Sequence, residues 1–292
     1  DLARLQTVDE AKWDDLDVIV CGLPHGTTQK IIASLPSHVK VIDLSADFRL
    51  RNVETYAEWY GHEHFAPQLQ PDAVYRLTEY YRDQIKDARL VACPGCYPTA
   101  VLMLLLPLVG GGLIEADDII IDAKSVVTGA GRSVKEQNLY SEVGDGMQPY
   151  GIASHRLEPA IAQELSAAAG RELLVNFTPH LIPMNRGEFI PSYVRLADSH
   201  SAADLRKALE ERYTDEPFVR VVPEGAVPAT RHVRGSNFCL LGVFEDRLPG
   251  RAIVVSTLDH LVTGSSGQAG QNMNLMFGLD GTMALTQLPR LA

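Results

Sequence analysis

Long hydrophobic runs are missing from this sequence. The longest, Ala100 to Val109, contains Pro107 and is about half the roughly 20 residues that a membrane-spanning helix needs, so a membrane protein of that kind is excluded. The opening Asp1 to Glu10 is mixed and polar and does not read as a signal peptide. Cysteine is scarce. Four residues, scattered and without a disulfide framework, make a reducing cytoplasm the expected compartment. Positive charge is short as well: 26 Lys and Arg stand against 37 Asp and Glu, for a formal net charge of −11. With no basic stripe, a nucleic-acid surface is not expected, and any anionic substrate must be met by a few locally placed arginines. Internal repeats, low-complexity tracts and like-charge blocks are also lacking.

What is present is an ordinary globular composition, 46% hydrophobic and 22% charged over 292 residues, enough for two domains with real cores. The first third alternates short apolar runs with polar helical stretches. "DVIVCGL" (17–23), "VKVIDLS" (39–45) and "ARLVACP" (88–94) read as strands buried on both faces, the parallel α/β pattern. In such sheets ligands bind beyond the carboxyl ends of the strands. Pro24, His25 and Gly26, directly after the first strand, are therefore expected to line a cofactor crevice.

From about Ile119 the strand candidates lengthen: 118–127, 173–183, 188–197, 236–246 and 251–261. Period-2 alternation in "SYVRL" predicts a sheet with one wet face. Ser201 reads as the N-cap of a helix, with Asp204 as its capping-box acid. The final 264–279 reads as a helix with an apolar stripe at Met273, Met276 and Phe277 that packs back onto the first domain. The expected fold class is α/β: an incomplete Rossmann-like dinucleotide-binding domain (1–94), an α+β catalytic and dimerisation domain (95–263), and a returning C-terminal helix (264–292). No G-x-G-x-x-G turn precedes Asp17, so an opening of about 60 to 80 residues, two βα units, is expected to be missing.

The chemistry centres on "LVACPGCYPTAVLMLLLPLVGGG" (90–112). Cys93 and Cys96 form a C-x-x-C, which can mean a dithiol or half of a metal site. No second pair follows, and Cys21 and Cys239 stand alone in apolar runs. Pro94 and Gly95 break the strand, and Thr99 to Leu106 reads as a buried helix, so Cys96 should occupy the helix's first turn, where unpaired N–H groups and the dipole favour a thiolate. A nucleophile needs an acid/base partner. His155, in a loop before a helix predicted near Pro159, has the best context, and His180 is second. His62 and His64, at i, i+2 in "GHEHF", read as solvated loop residues, so no metal site is expected. Arg132 in "TGAGR" and Arg186 in "PMNRGEF" sit in glycine-flanked turns suited to an anion, and the amides around Gly131 can form a nest.

"LPHG", "DLSADFRL", "VACPGCYPTAVLMLLLPL", "TGAGR", "SHRLEP", "FTPHLIPMNRG" and "GQAGQNMNLMFG" occur in this order, and together they resemble the N-acetyl-γ-glutamyl-phosphate reductases of arginine biosynthesis. The resemblance runs from Asp17 to Gly278. It implies an NADP-dependent oxidoreductase that reduces an acyl phosphate to a semialdehyde, with Cys96 acylated, His155 as acid/base, Gly267, Gln268 and Asn272 at the cofactor, and a homo-oligomeric assembly, a dimer or tetramer. Two departures stand out. The family commonly reads H-R-H where this chain has His155-Arg156-Leu157, and its opening glycine motif is not in the sequence.

The mechanism this implies starts from an acyl phosphate, which is activated toward attack but accepts hydride poorly. A Cys96 thiolate displaces phosphate, and the thioester formed is the better hydride acceptor. Related alternatives are aspartate-semialdehyde dehydrogenase and a carrier-bound aminoadipyl-phosphate reductase. From other classes come a non-catalytic nucleotide sensor and a Cys93–Cys96 redox pair.

Overall fold

The computed structural model describes residues 4–75, 77–131 and 134–290. The first sheet is parallel throughout, in the order β1-β2-β4-β3, from β1 (Val18–Cys21), β2 (Lys40–Asp43), β3 (Ala73–Tyr75) and β4 (Leu90–Ala92). Helices α1 (Thr28–Ser34), α2 (Val53–Tyr60) and α3 (Thr78–Asp87) connect these strands. The strands are the Val/Ile runs because β-branched residues pack well on a pleated surface covered on both faces. Val41, Ile42, Val91 and Ala92 have no exposed surface. β3 was not among the expected strands; it is three residues long, too short to show a period.

The second sheet is mixed and has seven strands in the order β6-β7-β5-β8-β11-β10-β9. They are β5 (Ile120–Val126), β6 (Gln148–Pro149), β7 (Asn176–Ile182), β8 (Glu188–Arg195), β9 (Val219–Val221), β10 (Cys239–Glu245) and β11 (Arg251–Leu258). All five expected long strands lie within it. The period-2 reading of "SYVRL" fits the end of β8, where Ser192 and Val194 are buried, Tyr193 is half-buried and Arg195 is exposed.

From the end of β4 runs α4 (Cys96–Gly110), which packs on β8 and β11 of the second sheet and on α6 (Glu158–Ala169) and α7 (Ala202–Arg212). A helix apolar all round belongs in a core, and every residue from Tyr97 to Leu106 is buried. It starts three residues earlier than its expected beginning at Thr99, because Gly95, at φ +90°, turns the chain sharply into it, and it continues past Pro107 to Gly110. Ser201 caps α7 through the expected box with Asp204. A four-residue helix, α5 (Tyr140–Val143), lies in the loop between β5 and β6.

The last helix, α8 (Gly267–Met276), packs on α3 and β2. Met276 is buried in a cluster with Ile42, Val91 and Cys93, and Met273 lies against it. Phe277 departs from the expected stripe. The helix ends one residue before it, Gly278 takes φ +68°, and the ring stays 40% exposed beneath the Lys40 ammonium.

Candidate active site

β1, β2 and β4 end together, so three chain segments converge at their carboxyl edge: Leu23 to Gly26, Leu44 to Asp47, and Cys93 to Cys96. Asp47 gathers two of the surrounding pieces. Its Oδ1 accepts the Gly26 N–H at 2.7 Å and the Tyr56 hydroxyl at 2.8 Å. Buried Arg49 gathers the third: its Nε donates to the Cys93 carbonyl and its Nη2 to the Leu44 carbonyl, both at 2.9 Å. A Cβ on Gly95 would fall 2.9 Å from Arg49 Nη1, so only a glycine lets the guanidinium lie flat against the turn before the nucleophile.

Cys96 is the first residue of α4 and is half-buried. The helix start alone does not make it a thiolate. Burial pushes the thiol well above its ordinary value, and the nearby Glu188 carboxyl adds to that, while the Tyr97 amide and Arg49 pull the other way. Cys93 is fully buried; burial pushes it up to about 12, and Asn272 Nδ2 donates to its sulfur at 3.5 Å. Both are free thiols, so this pair forms no disulfide.

Glu188 opens β8 on the same face as Ile190, Ser192 and Val194, with no exposed surface. Its Oε1 accepts from Ser125 Oγ at 3.0 Å, and burial pushes it up to about 7. Neither Glu188 nor Arg49 is among the expected site residues. The available signals were an acid on the inward period of an apolar strand and the arginine inside "DLSADFRL".

His155 sits just before α6 in an aromatic box, edge-on to Tyr97, Tyr150 and Phe177 with ring centroids 5.3–5.5 Å away. Tyr97 is the residue after Cys96, and its hydroxyl lies 3.0 Å from that of Tyr150. Burial pushes His155 down to about 4, with Arg156 second, and its Nδ1 accepts the Leu157 N–H. The imidazole is therefore neutral near pH 7 with its proton on Nε2. No hydrogen bond joins His155 to Cys96 among the described residues. His180 lies elsewhere, on β7 beside Asp122. His64 differs from the solvated reading: it is 8% exposed and bonded to the Asp47 carbonyl.

Arg186 lies in the β7–β8 turn, its Nε 3.4 Å from buried Asp259 Oδ2. The turn from Val127 to Gly131 sits beside it. His260 ties the two together: its Nδ1 accepts the Gly187 N–H at 3.3 Å and its Nε2 lies 2.9 Å from Thr128 Oγ1. Gly131 has φ +81°, and Arg132 lies outside the described residues. His25 is held by the Arg156 guanidinium and flanked by Tyr60 and His62. Gln268 and Asn272 are buried where α8 meets the Cys93–Thr99 segment, Gln268 bonded to Thr99 and Asn272 to Thr78. At Gly267 a Cβ would meet Asn237 Oδ1 at 2.3 Å, so α8 begins in close backbone contact with its neighbours. Among the described residues there is no cluster of three or more potential metal ligands.

Residues 2–88 match the family model described as "Semialdehyde dehydrogenase, NAD binding domain", and residues 96–260 match "Semialdehyde dehydrogenase, dimerisation domain". The "Probable N-acetyl-gamma-glutamyl-phosphate reductase, chloroplastic" of Oryza sativa subsp. japonica is 52% identical over 99% of this chain and 70% of its own length. The N-acetyl-gamma-glutamyl-phosphate reductase of Rhodospirillum rubrum is 53% identical over 99% of this chain and 84% of its own. The chain belongs to the N-acetyl-γ-glutamyl-phosphate reductase family. Among solved structures, aspartate semialdehyde dehydrogenase II from Vibrio cholerae superposes with a TM-score of 0.72 at 16% identity, covering 94% of this chain and 83% of that one. The Candida albicans aspartate semialdehyde dehydrogenase with NADP gives 0.64, also at 16%, over 90% and 77%. At that identity the likeness is one of fold, so this reductase-family chain shares its two-sheet architecture with the dehydrogenases. Among the described residues no helix is long and apolar enough to cross a membrane.

Proposed function

We propose that this chain is an oxidoreductase that converts N-acetyl-γ-glutamyl phosphate to N-acetylglutamate 5-semialdehyde and phosphate, a step of arginine biosynthesis, with NADPH as reductant. The observation that carries the reading is Cys96, half-buried at the first turn of α4 where three strands end, with Arg49 beside it. Identity of about half, over 99% of this chain, to named reductases favours this substrate over the aspartyl one.

The residues present fit the nicotinamide end of a dinucleotide. His25 stands between Tyr60 and His62, with ring centroids 5.3 and 6.3 Å away, at the carboxyl edge of a parallel sheet. Pro24, His25 and Gly26, with Gly267, Gln268 and Asn272 behind Cys93, would hold that end; no residue is assigned to the phosphates. When bound, the cofactor supplies the hydride.

Cys96 sulfur attacks the acyl carbon; the C–S bond forms, the C–O bond to phosphorus breaks, and phosphate leaves. The free N–H groups at the start of α4 hold the negative oxygen that develops. Arg49 and Arg186 are the cations on hand for the departing phosphate and the substrate carboxylate, with Gly131 on the neighbouring turn and Arg132 next to it in the sequence. Neutral His155, next to Tyr97, takes up and returns a proton at the reacting oxygen. Residues 1–94 serve the cofactor, 95–263 the substrate and self-association, and 264–292 close the first unit. Homo-oligomer formation is supported by the match of 96–260 to a dimerisation domain, and four free thiols fit a reducing, cytoplasm-like compartment.

The test is phosphate-dependent reduction of NADP by N-acetylglutamate semialdehyde, with Cys96→Ala and His155→Asn alongside. Activity that is lost in Cys96→Ala and reduced about 10²-fold in His155→Asn is expected. Wild-type turnover of aspartate semialdehyde in preference would overturn the substrate assignment.

A further inference from the structure

We propose that Glu188 is the proton acceptor of the Cys96 thiol, the two side chains sharing one proton that moves from sulfur to carboxyl when the nucleophile is needed. The inference rests on the reading of Cys96 as the nucleophile. The fold brings the two residues together from distant elements. Glu188 pairs in register with Leu258 on β11, and a Cβ on Gly264 would lie 2.7 Å from Cys96 Cβ and 3.3 Å from Leu258 Cδ1. The start of β8, the end of β11 and the start of α4 therefore meet at one point, which sets the buried Glu188 carboxyl beside the Cys96 thiol.

A fully buried carboxyl group is costly unless its oxygens are satisfied. Ser125 Oγ serves Oε1, whereas Oε2 is buried with no hydrogen-bond partner among the described residues. A pure packing role calls for no such group, since Ile190 and Val194 fill the same face. The other charged or titratable groups around the pair are Arg49, which favours the anion, Asp259, which disfavours it, Tyr97, Tyr150, His260 and the buried thiol of Cys239.

Two acids that each hold their protons more tightly than usual behave differently as a pair. Neither ionises readily by itself near pH 7 in the company of the other's charge, but loss of one proton from the pair leaves a single negative charge that either atom can carry. With the carboxylate form S–H···O⁻ as the resting state, proton transfer gives S⁻ and a neutral carboxylic acid without changing the net buried charge. The thiolate then forms the C–S bond as the C–O bond to phosphorus breaks. After reduction the C–S bond breaks as the aldehyde C=O forms, and the sulfur recovers its proton from Glu188. The proton consumed overall ends on phosphate, so Glu188 leaves the cycle as it entered.

The experiment is the pH dependence of Cys96 alkylation by iodoacetamide between about pH 5 and 10, read by peptide mass spectrometry. In the wild type the rate should rise in a step centred near Glu188's value of about 7. Glu188→Gln keeps the shape and the Ser125 hydrogen bond but cannot take a proton. It should lose that step, alkylate about 10²-fold more slowly at pH 7, and react only above the thiol's ordinary value of 9. A merely electrostatic neighbour predicts the reverse, because removing a negative charge makes the thiol more acidic; equal or faster alkylation in Glu188→Gln overturns the proposal. Should that variant not fold, Ser125→Ala decides instead: Glu188 loses its donor, the step should move to higher pH, and an unmoved step overturns the proposal. Alkylation needs no substrate, so a normal step in a protein that fails to turn over the acyl phosphate would defeat the proposed function and leave this inference standing.

Discussion

Arg156 Nη1 lies 2.8 Å from His25 Nε2. The residue after His155 thereby reaches back to the turn after β1 and fixes the distance between the first sheet's edge and the loop that carries the imidazole. Burial pushes His25 down, and Arg156 adds to this. In Arg156→Met, His25 should titrate at a higher pH, which NMR of the histidine Cε1–H signals will report. The contact is exposed, so stability should change by no more than about 1 kcal/mol, while kcat should fall about tenfold as the loop loses its tether.

Gly264→Ala should injure the nucleophile without touching its chemistry. A Cβ there would stand 2.7 Å from Cys96 Cβ and 2.9 Å from its Cα, both on a rigid helix start. Overpacking of this kind costs about 1–3 kcal/mol. Thermal melting should show that loss, and kcat should drop at least about tenfold because the sulfur must shift. Melting and turnover equal to wild type would refute the packing described.

Arg49→Met tests the guanidinium behind the site. It strips donors from two carbonyls, those of Cys93 and Leu44, and unsatisfied buried acceptors cost about 1–3 kcal/mol each. A loss of about 3 kcal/mol in urea unfolding is expected. Arg49 also pulls the Cys96 thiol toward its anion, so Cys96 alkylation should slow as well.

Glu79 provides a pH prediction away from the site. Burial pushes it up to about 7 from an ordinary 4.5, with Glu216 adding to the shift. The folded chain thus holds this proton over a range in which the unfolded chain has released it, and stability falls as pH rises from about 4.5 to 7. Glu79→Gln removes that slope. The melting temperature of the variant relative to wild type should therefore be higher at pH 8 than at pH 5. An unchanged difference would exclude the buried acid as a source of pH dependence.

The strands and α4 were legible in the sequence because their burial writes itself as unbroken Val, Ile and Leu. The Cys96 position followed from Pro94 and Gly95, which must end one element and start another. β3 left no such mark, being three residues beside a masking helix start. The site was readable only where one residue type announces a chemistry, as with cysteine and histidine. Arg49 and Glu188 owe their places to long-range packing, Arg49 through a carbonyl 44 positions away and Glu188 through strand order in a seven-stranded sheet. Local pattern carries neither. The expected low proton affinity of Cys96 failed for the same reason: the helix start is a local property, and the burial that outweighs it is a tertiary one.

The docking of α8 has a consequence for how the chain is made. Lys40 Nζ donates to the carbonyl of Met276 across 236 positions, and Ile42 and Val91 share one apolar cluster with Ala269, Leu275 and Met276. During synthesis the first strands emerge long before that helix does, so one face of the opening sheet stays wet while the entire second sheet is being translated. The nascent chain must spend that interval with an apolar surface uncovered.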